Sequence, residues 1–355
     1  MVQLGASDLH LCVGSAPMVR KDGHMVPLDA AASQLTSQDV VQLLAPIIPD
    51  KNRKEYTDRH DTDFAYEIPE LARFRSNVFA DRRGPGAVFR VIPSKILTAE
   101  QLNLSPHILN LCTLNKGLVL VTGPTGSGKS TTLCAMIDYI NRTRQDHIIT
   151  IEDPIEFVHE NQKCLINQRE VRTHTDSFKD ALRAALREDP DIILVGELRD
   201  LETVAIAIET AETGHLVFGT LHTTTAASTV DRVIDQFPQE QQAQIRIMLS
   251  ESLKGVISQT LCKKIGGGLV AAREILLVNK AVSSMIREGK TVQIPNIIQT
   301  QKKLGMETLN DALLNLVKSK TIEAEEAYIR AVEKKDMGLK LKAAGHQIAI
   351  AGSDE

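Results

Sequence analysis

From about residue 105 onward the chain alternates two hydrophobic patterns. Short apolar runs bounded by polar turns recur at "GLVLVTG" (117–123), "HIITIE" (147–152), "DIILVGE" (191–197) and "HLVFGT" (215–220). Between them lie stretches with apolar positions three and four apart: "KSTTLCAMIDYINRT", "DSFKDALRAALRED", "DLETVAIAIETAE" and "TAASTVDRVIDQF". Unbroken apolar runs of this length suit strands buried on both faces. Their alternation with helices predicts a parallel sheet covered on both sides. Residues 240–334 read as mostly helical, ending in the amphipathic, charge-paired "KTIEAEEAYIRAVEKK" (320–335).

Residues 1–92 are patterned differently. "LHLCVG" and "PMVRKDGHMVPL" alternate as strands around a Lys-Asp-Gly turn, and "SQDVVQLLAPII" is helical in period. "ELARFRSNVFADRRGPGAVFRVIP" reads as two strands joined at Gly-Pro-Gly. This predicts a small α+β domain over 1–92 and a connector over 93–104. Within the connector, "TAEQLNL" starts a short helix at Thr98. A larger α/β domain follows over 105–340, and then a flexible tail over 341–355.

Composition narrows the class. A chain of 355 residues exceeds one ordinary core and fits two domains. A net charge of −4 gives no global case for binding nucleic acid. The five cysteines, at 12, 112, 134, 164 and 262, contain no CxxC pair and read as thiols in a reducing compartment. No apolar run nears the roughly 20 residues a membrane span needs. No signal peptide opens the chain, so a cytoplasmic protein is expected.

"GPTGSGKST" (Gly123–Thr131) matches the phosphate-loop pattern GxxxxGK[ST] between a strand and a helix. Glycines let backbone N–H groups approach phosphate oxygens, and the helix N-terminus favours the anion. Gly123, Thr125, Gly126, Ser127, Gly128, Lys129, Ser130 and Thr131 are therefore the candidate ATP contacts. In this pattern Lys129 reaches the β- and γ-phosphates and Ser130 ligates Mg²⁺. "DIILVGE" places Glu197 where a second acid belongs, with Gly196 where Asp is usual. Glu197 is thus the acid available to the Mg²⁺ shell, through water. "TIEDPIE" adds Glu152, Asp153 and Glu156, any of which could orient or deprotonate an attacking water.

His215 and His222 flank "LVFGTL". Seven residues of strand span roughly 23 Å and put the two side chains on opposite faces. They cannot share one metal ion. His222 falls at the carboxyl end of its strand, where ligands of parallel sheets gather, and is expected to sense the γ-phosphate. His215 begins the strand and is expected farther away.

These boxes, with "GASDLHL", "ARFRSNVF", "GAVFRVIPSKILT", "NQREV" and "SESLKGVISQTL", make the chain resemble the secretion-superfamily ATPases. It resembles most closely the type IV pilus retraction ATPases, the twitching-motility PilT family, over residues 5 to about 320. The resemblance implies a PAS-like N-terminal domain, a RecA-like C-terminal domain and a homohexamer at the cytoplasmic face of the inner membrane. It implies Glu156 as catalytic carboxylate, Glu197 as Walker B acid, and His222 with His215 as the histidine box. It also implies arginines from the N-terminal domain reaching the phosphates, for which Arg75, Arg83 and Arg90 are the candidates. The implied partner is an inner-membrane, PilC-like pilus platform protein, with no direct contact to nucleic acid and no insertion in the bilayer.

Two departures stand out. Only four residues precede Gly5 where the family begins with a helix, which points to a shortened N-terminus. Ser283, in "AVSSMIRE", occupies the place of an Arg in the family's AIRNLIRE-type motif. An accessory PilU-like paralogue is one alternative. A pilus-assembly or type II secretion ATPase is another, although those usually carry a tetracysteine element that this chain lacks.

Overall fold

The computed structural model describes residues 1–346 except 22, 70 and 93–95. The chain forms two compact units, 1–95 with 156–158, and 96–155 with 159–355.

Unit 1 is an antiparallel sheet of β1 (Asp8–Cys12), β2 (Met18–Lys21), β3 (His24–Pro27), β4 (Asp61–Ile68), β5 (Ala72–Asp81) and β6 (Gly84–Ile92), in the order β3-β2-β1-β6-β5-β4. One face is apolar: Leu11, Phe64, Phe74, Val78, Ala87 and Phe89 pack with Val40 and Leu44 of α1 (Ser37–Leu44). Thr36 and Asp39 cap α1 reciprocally, which satisfies donors at its N-terminus. The sequence pattern does not mark the second helix, α2 (Asp50–Arg59), or β4. The helix is polar but for Tyr56, which packs partly against the core, and no residue is fully buried, so it carries no periodic signal. The β5–β6 turn is not at Gly-Pro-Gly. It lies at Arg82-Arg83, where the Asp81 carboxylate accepts the amides of Arg83 and Gly84 at 2.7 and 3.2 Å. Gly86 instead lies within β6, where glycine is required because a Cβ would sit 2.7 Å from the Phe79 ring.

Unit 2 opens with a turn at Thr98–Asn103 rather than the expected helix. Leu102 N–H donates to the Thr98 carbonyl, but Asn103 turns to positive φ and ends the coil. Ala99 and Leu104 are buried against α3 (Pro106–Leu111), so this stretch packs into the unit's core. The parallel strands are β7 (Gly117–Thr122), β8 (His147–Glu152), β9 (Leu165–Glu170), β10 (Ile192–Val195) and β11 (Leu216–Leu221). Every residue of β7, β10 and β11 is buried. Leu118 and Leu120 face one core while Val119 and Val121 face the other. The first core also takes α5 (Phe178–Ala185), α6 (Leu201–Thr213), α7 (Ala226–Asp235), α8 (Gln239–Ser252), α9 (Lys280–Arg287) and α10 (Ile294–Thr300). The second takes α3 and α4 (Lys129–Thr143).

The stretch from 240 to 334 departs from the helical expectation. It contains a long antiparallel hairpin, β12 (Leu253–Lys263) and β13 (Leu269–Leu277), turned at Gly266–Gly268. The sheet order is β13-β12-β7-β11-β10-β8-β9, so β12 runs parallel beside β7. Helices α11 (Leu309–Lys318), α12 (Ala324–Arg330) and α13 (Lys334–Ala343) form a third cluster around Cys262 and Ala272. The segment 320–335 is therefore not one helix. It breaks after Arg330 and keeps one charge pair four residues apart, Glu326 with Arg330. Of the expected tail 341–355, α13 runs to Ala343, and 347–355 lie outside the described residues.

His159 gives unit 2 an acid sensitivity. It is 8% exposed, and burial pushes its imidazole down to about 4. The unfolded chain then binds a proton that the folded one refuses, so stability falls as pH drops from about 6.5 to about 4. The shift corresponds to about 3 kcal/mol at full depth. Urea unfolding at pH 6.5 and pH 4.5 should show His159→Gln losing less over that interval than the wild type. An equal loss in both would exclude this histidine as the source.

Candidate active site

The phosphate-loop residues sit between β7 and α4. Gly123 has φ 144° and Gly128 φ 84°, values a side chain rarely permits. Space forbids one at Gly123, where a Cβ would lie 2.3 Å from the Gln259 backbone carbonyl, and is tight at Gly128, where it would lie 3.2 Å from Gln259 Nε2. Thr125 and Gly126 are exposed, and Ser130 and Thr131 are half-buried on the first turn of α4. Lys129 Nζ donates to the carbonyls of Gly123 and Pro124 at 2.8 and 3.1 Å, so its ammonium arches over the loop. Ser127 is buried, and its hydroxyl has no partner. A glycine cradle too tight for Cβ atoms, an ammonium over it and a helix N-terminus behind it fit a polyphosphate with its divalent cation.

Along the same sheet edge the order is β7, β11, β10, β8. His222 follows β11, and its Nε2 lies 2.8 Å from Glu197 Oε1. Glu197 follows β10 and also accepts from Arg199 Nε at 2.7 Å. Burial alone would raise the Glu197 carboxyl, but Arg199 and His222 outweigh it and hold the group below the usual carboxylate range. Gly196 stands before it because the strand ends close here: a Cβ would lie 3.1 Å from the Ile151 carbonyl. Glu152 ends β8 and is buried; its Oε1 accepts from Thr150 at 2.7 Å and Gln168 at 3.2 Å. Asp153 and Glu156 lie exposed in the loop after β8. That loop is fixed from β9, where Glu170 accepts the Ile155 amide at 3.1 Å and Gln168 the His159 amide at 2.8 Å.

Unit 2 thus brings Gly123–Thr131, Glu197 and His222 to one edge. It does not bring His215 there. His215 stands at the other end of β11, its amide and Nδ1 each 3.3 Å from the Thr210 carbonyl at the end of α6. In unit 1, Arg75 and Arg90 are exposed and directly opposed on β5 and β6. Arg90 also donates to the buried Asp8 at 2.8 Å. Arg83 is exposed at the hairpin tip. Gln168, Glu170 and Gln259 also support the site, and in the sequence only "NQREV" and "SESLKGVISQTL" mark them, by resemblance and not by chemistry.

Among the described residues, no helix is long and apolar enough to cross a membrane. The Type II/IV secretion system protein family matches residues 5–306. The Type IV pilus retractation ATPase PilT of Pseudomonas aeruginosa is 57% identical over 92% of this chain and 94% of its own. The Type IV pilus ATPase PilU of the same organism is 36% identical over 96% of this chain and 89% of its own. A crystal structure of the pilus retraction motor PilT with bound ADP superposes with a TM-score of 0.89 at 48% identity, covering 94% of this chain and 96% of that one. Its fold, an N-terminal domain followed by a RecA-like ATPase domain, is the fold of this chain. Matched across most of its length, and with the phosphate loop and acids in place, the chain belongs to the Type II/IV secretion system protein family, an ATP-hydrolysing family, alongside the PilT ATPases.

Proposed function

We propose that this protein is a hexameric ATPase motor that drives type IV pilus retraction at the cytoplasmic face of the inner membrane. The observation that carries the reading is the sheet edge itself, a glycine cradle beside the Glu197–His222 pair. The higher identity to the PilT relative than to PilU supports retraction over an accessory role. One feature favours the accessory reading: Ser283, half-buried on α9, replaces the expected Arg.

In the proposed cycle the loop amides and Lys129 bind the phosphates of ATP, and Lys129 exchanges its two carbonyl partners for phosphate oxygen. Ser130, and Glu197 through water, would hold Mg²⁺, which supplies charge neutralisation at the transferring phosphoryl group. Glu156 orients the attacking water and takes its proton. His222 donates to the γ-phosphate and returns to Glu197 once that oxygen leaves. Arg75, Arg83 and Arg90 add guanidinium donors to the developing charge. The connection between the two units is the proposed hinge through which each turnover moves one unit, with Ala99 and Leu104 moving as part of the unit 2 core. The ring passes that motion to an inner-membrane platform protein, and His215 would serve a subunit contact.

Deleting the gene and counting surface pili by electron microscopy tests the reading. Abundant pili that no longer retract are expected. Bald cells would identify an assembly motor, and unchanged, retracting pili an accessory paralogue.

A further inference from the structure

Gln259 lies on β12, outside the phosphate loop and every acidic or histidine box, yet the loop is built around it. It is 3% exposed. Its Nε2 donates to the Ser127 carbonyl at 2.6 Å, and its Oε1 accepts from the Thr132 hydroxyl at 2.8 Å. One planar amide therefore ties the last turn of the loop to the first turn of α4. A Cβ at Gly123 would strike its backbone carbonyl at 2.3 Å, and one at Gly128 would press on its Nε2 at 3.2 Å. Next to it on the opposite strand face, the Ser258 hydroxyl lies 2.8 Å from that of Thr122, the last residue of β7. The strand thus grips both ends of the phosphate cradle.

We infer that Gln259 is a positioning residue for the phosphate loop: it holds the loop amides in the phosphate-binding arrangement before nucleotide arrives. This rests on the ATPase reading. Holding the amides in advance removes the ordering cost from the binding step, so the effect falls on nucleotide affinity. A carbonyl turned inward by a lost donor would displace the adjacent amides, and a buried one left unpaired is costly. The geometry separates donor from acceptor. Glu at 259 keeps the shape and the acceptor for Thr132 but sets a carboxylate oxygen against the Ser127 carbonyl. Met fills the space and makes neither bond.

The test is the dissociation constant of a fluorescent ATP analogue with Mg²⁺, measured on the full chain below each variant's melting temperature without nucleotide. Gln259→Glu and Gln259→Met are both expected to weaken binding about tenfold, with the turnover rate at saturating ATP reduced much less. A general loss of folded protein would lower the active fraction and leave the constant unchanged. Thr132→Val, which removes one arm only, is expected to weaken binding by about threefold and to be non-additive with Gln259→Met. If neither Gln259 variant folds, Thr132→Val alone decides the matter. Wild-type affinity in the variants that fold overturns the inference. A wild-type chain that fails to bind the analogue would instead overturn the ATPase reading beneath it.

Discussion

Lys129→Ala is expected to reduce ATP hydrolysis by roughly 10²–10³ or more, to background in a phosphate-release assay. The ammonium holds the carbonyls of Gly123 and Pro124, so it is already positioned over the cradle. Alanine removes the donor to both carbonyls, and water can replace it at the exposed Pro124. It also leaves the phosphates without their only cation from the loop. Folding and catalysis therefore separate: the melting temperature without nucleotide should change little, while its increase on adding ATP should vanish. Retained turnover would remove Lys129 from the proposed mechanism.

Glu156→Gln is the second large effect. A positioned general base contributes about 10²–10⁴, and a carboxamide cannot take the proton, so turnover should fall by that factor. Glu156→Ala should do the same. Glu156 is exposed in a loop whose Ile155 and His159 amides are held by Glu170 and Gln168. Nucleotide affinity should stay near that of the wild type, the reverse of the pattern expected at Gln259. Unchanged turnover would point to Glu152 or Asp153. Glu152 is the weaker candidate as a base, because its Oε1 is already engaged by Thr150 and Gln168.

Much of this was legible in the chain. The runs "GLVLVTG", "DIILVGE" and "HLVFGT" are apolar at every position because both faces of their strands are covered, and such runs announce themselves. The phosphate loop was legible because glycine is required where φ is positive and where Gln259 fills the space of a Cβ. The separation of His215 from His222 followed from strand rise alone, and His215 indeed ends against Thr210.

Other parts could not be read. α2 has no fully buried residue and packs against the core only through Tyr56, so no period marks it. β12 and β13 alternate less cleanly than a solvent-facing hairpin because one edge of β12 completes the central sheet and both of its faces are covered. The helices around them drew the whole region into a helical reading. Gly-Pro-Gly looked like a turn, but Asp81 captures two amides one step earlier and moves the turn to Arg82-Arg83.

The sequence by itself determined the two-domain division of pattern, the phosphate loop, and the strands that end at Glu197 and His222, because each is a local demand of backbone conformation or burial. Only the tertiary structure decided that Glu197 shares one carboxylate oxygen with His222 and Arg199, that Arg75 faces Arg90, and that Gln259 closes the cradle. Glu197–His222, Arg75–Arg90 and Gln259–Ser127 lie 25, 15 and 132 residues apart, and pairings across such distances depend on strand order and register, which no local pattern encodes.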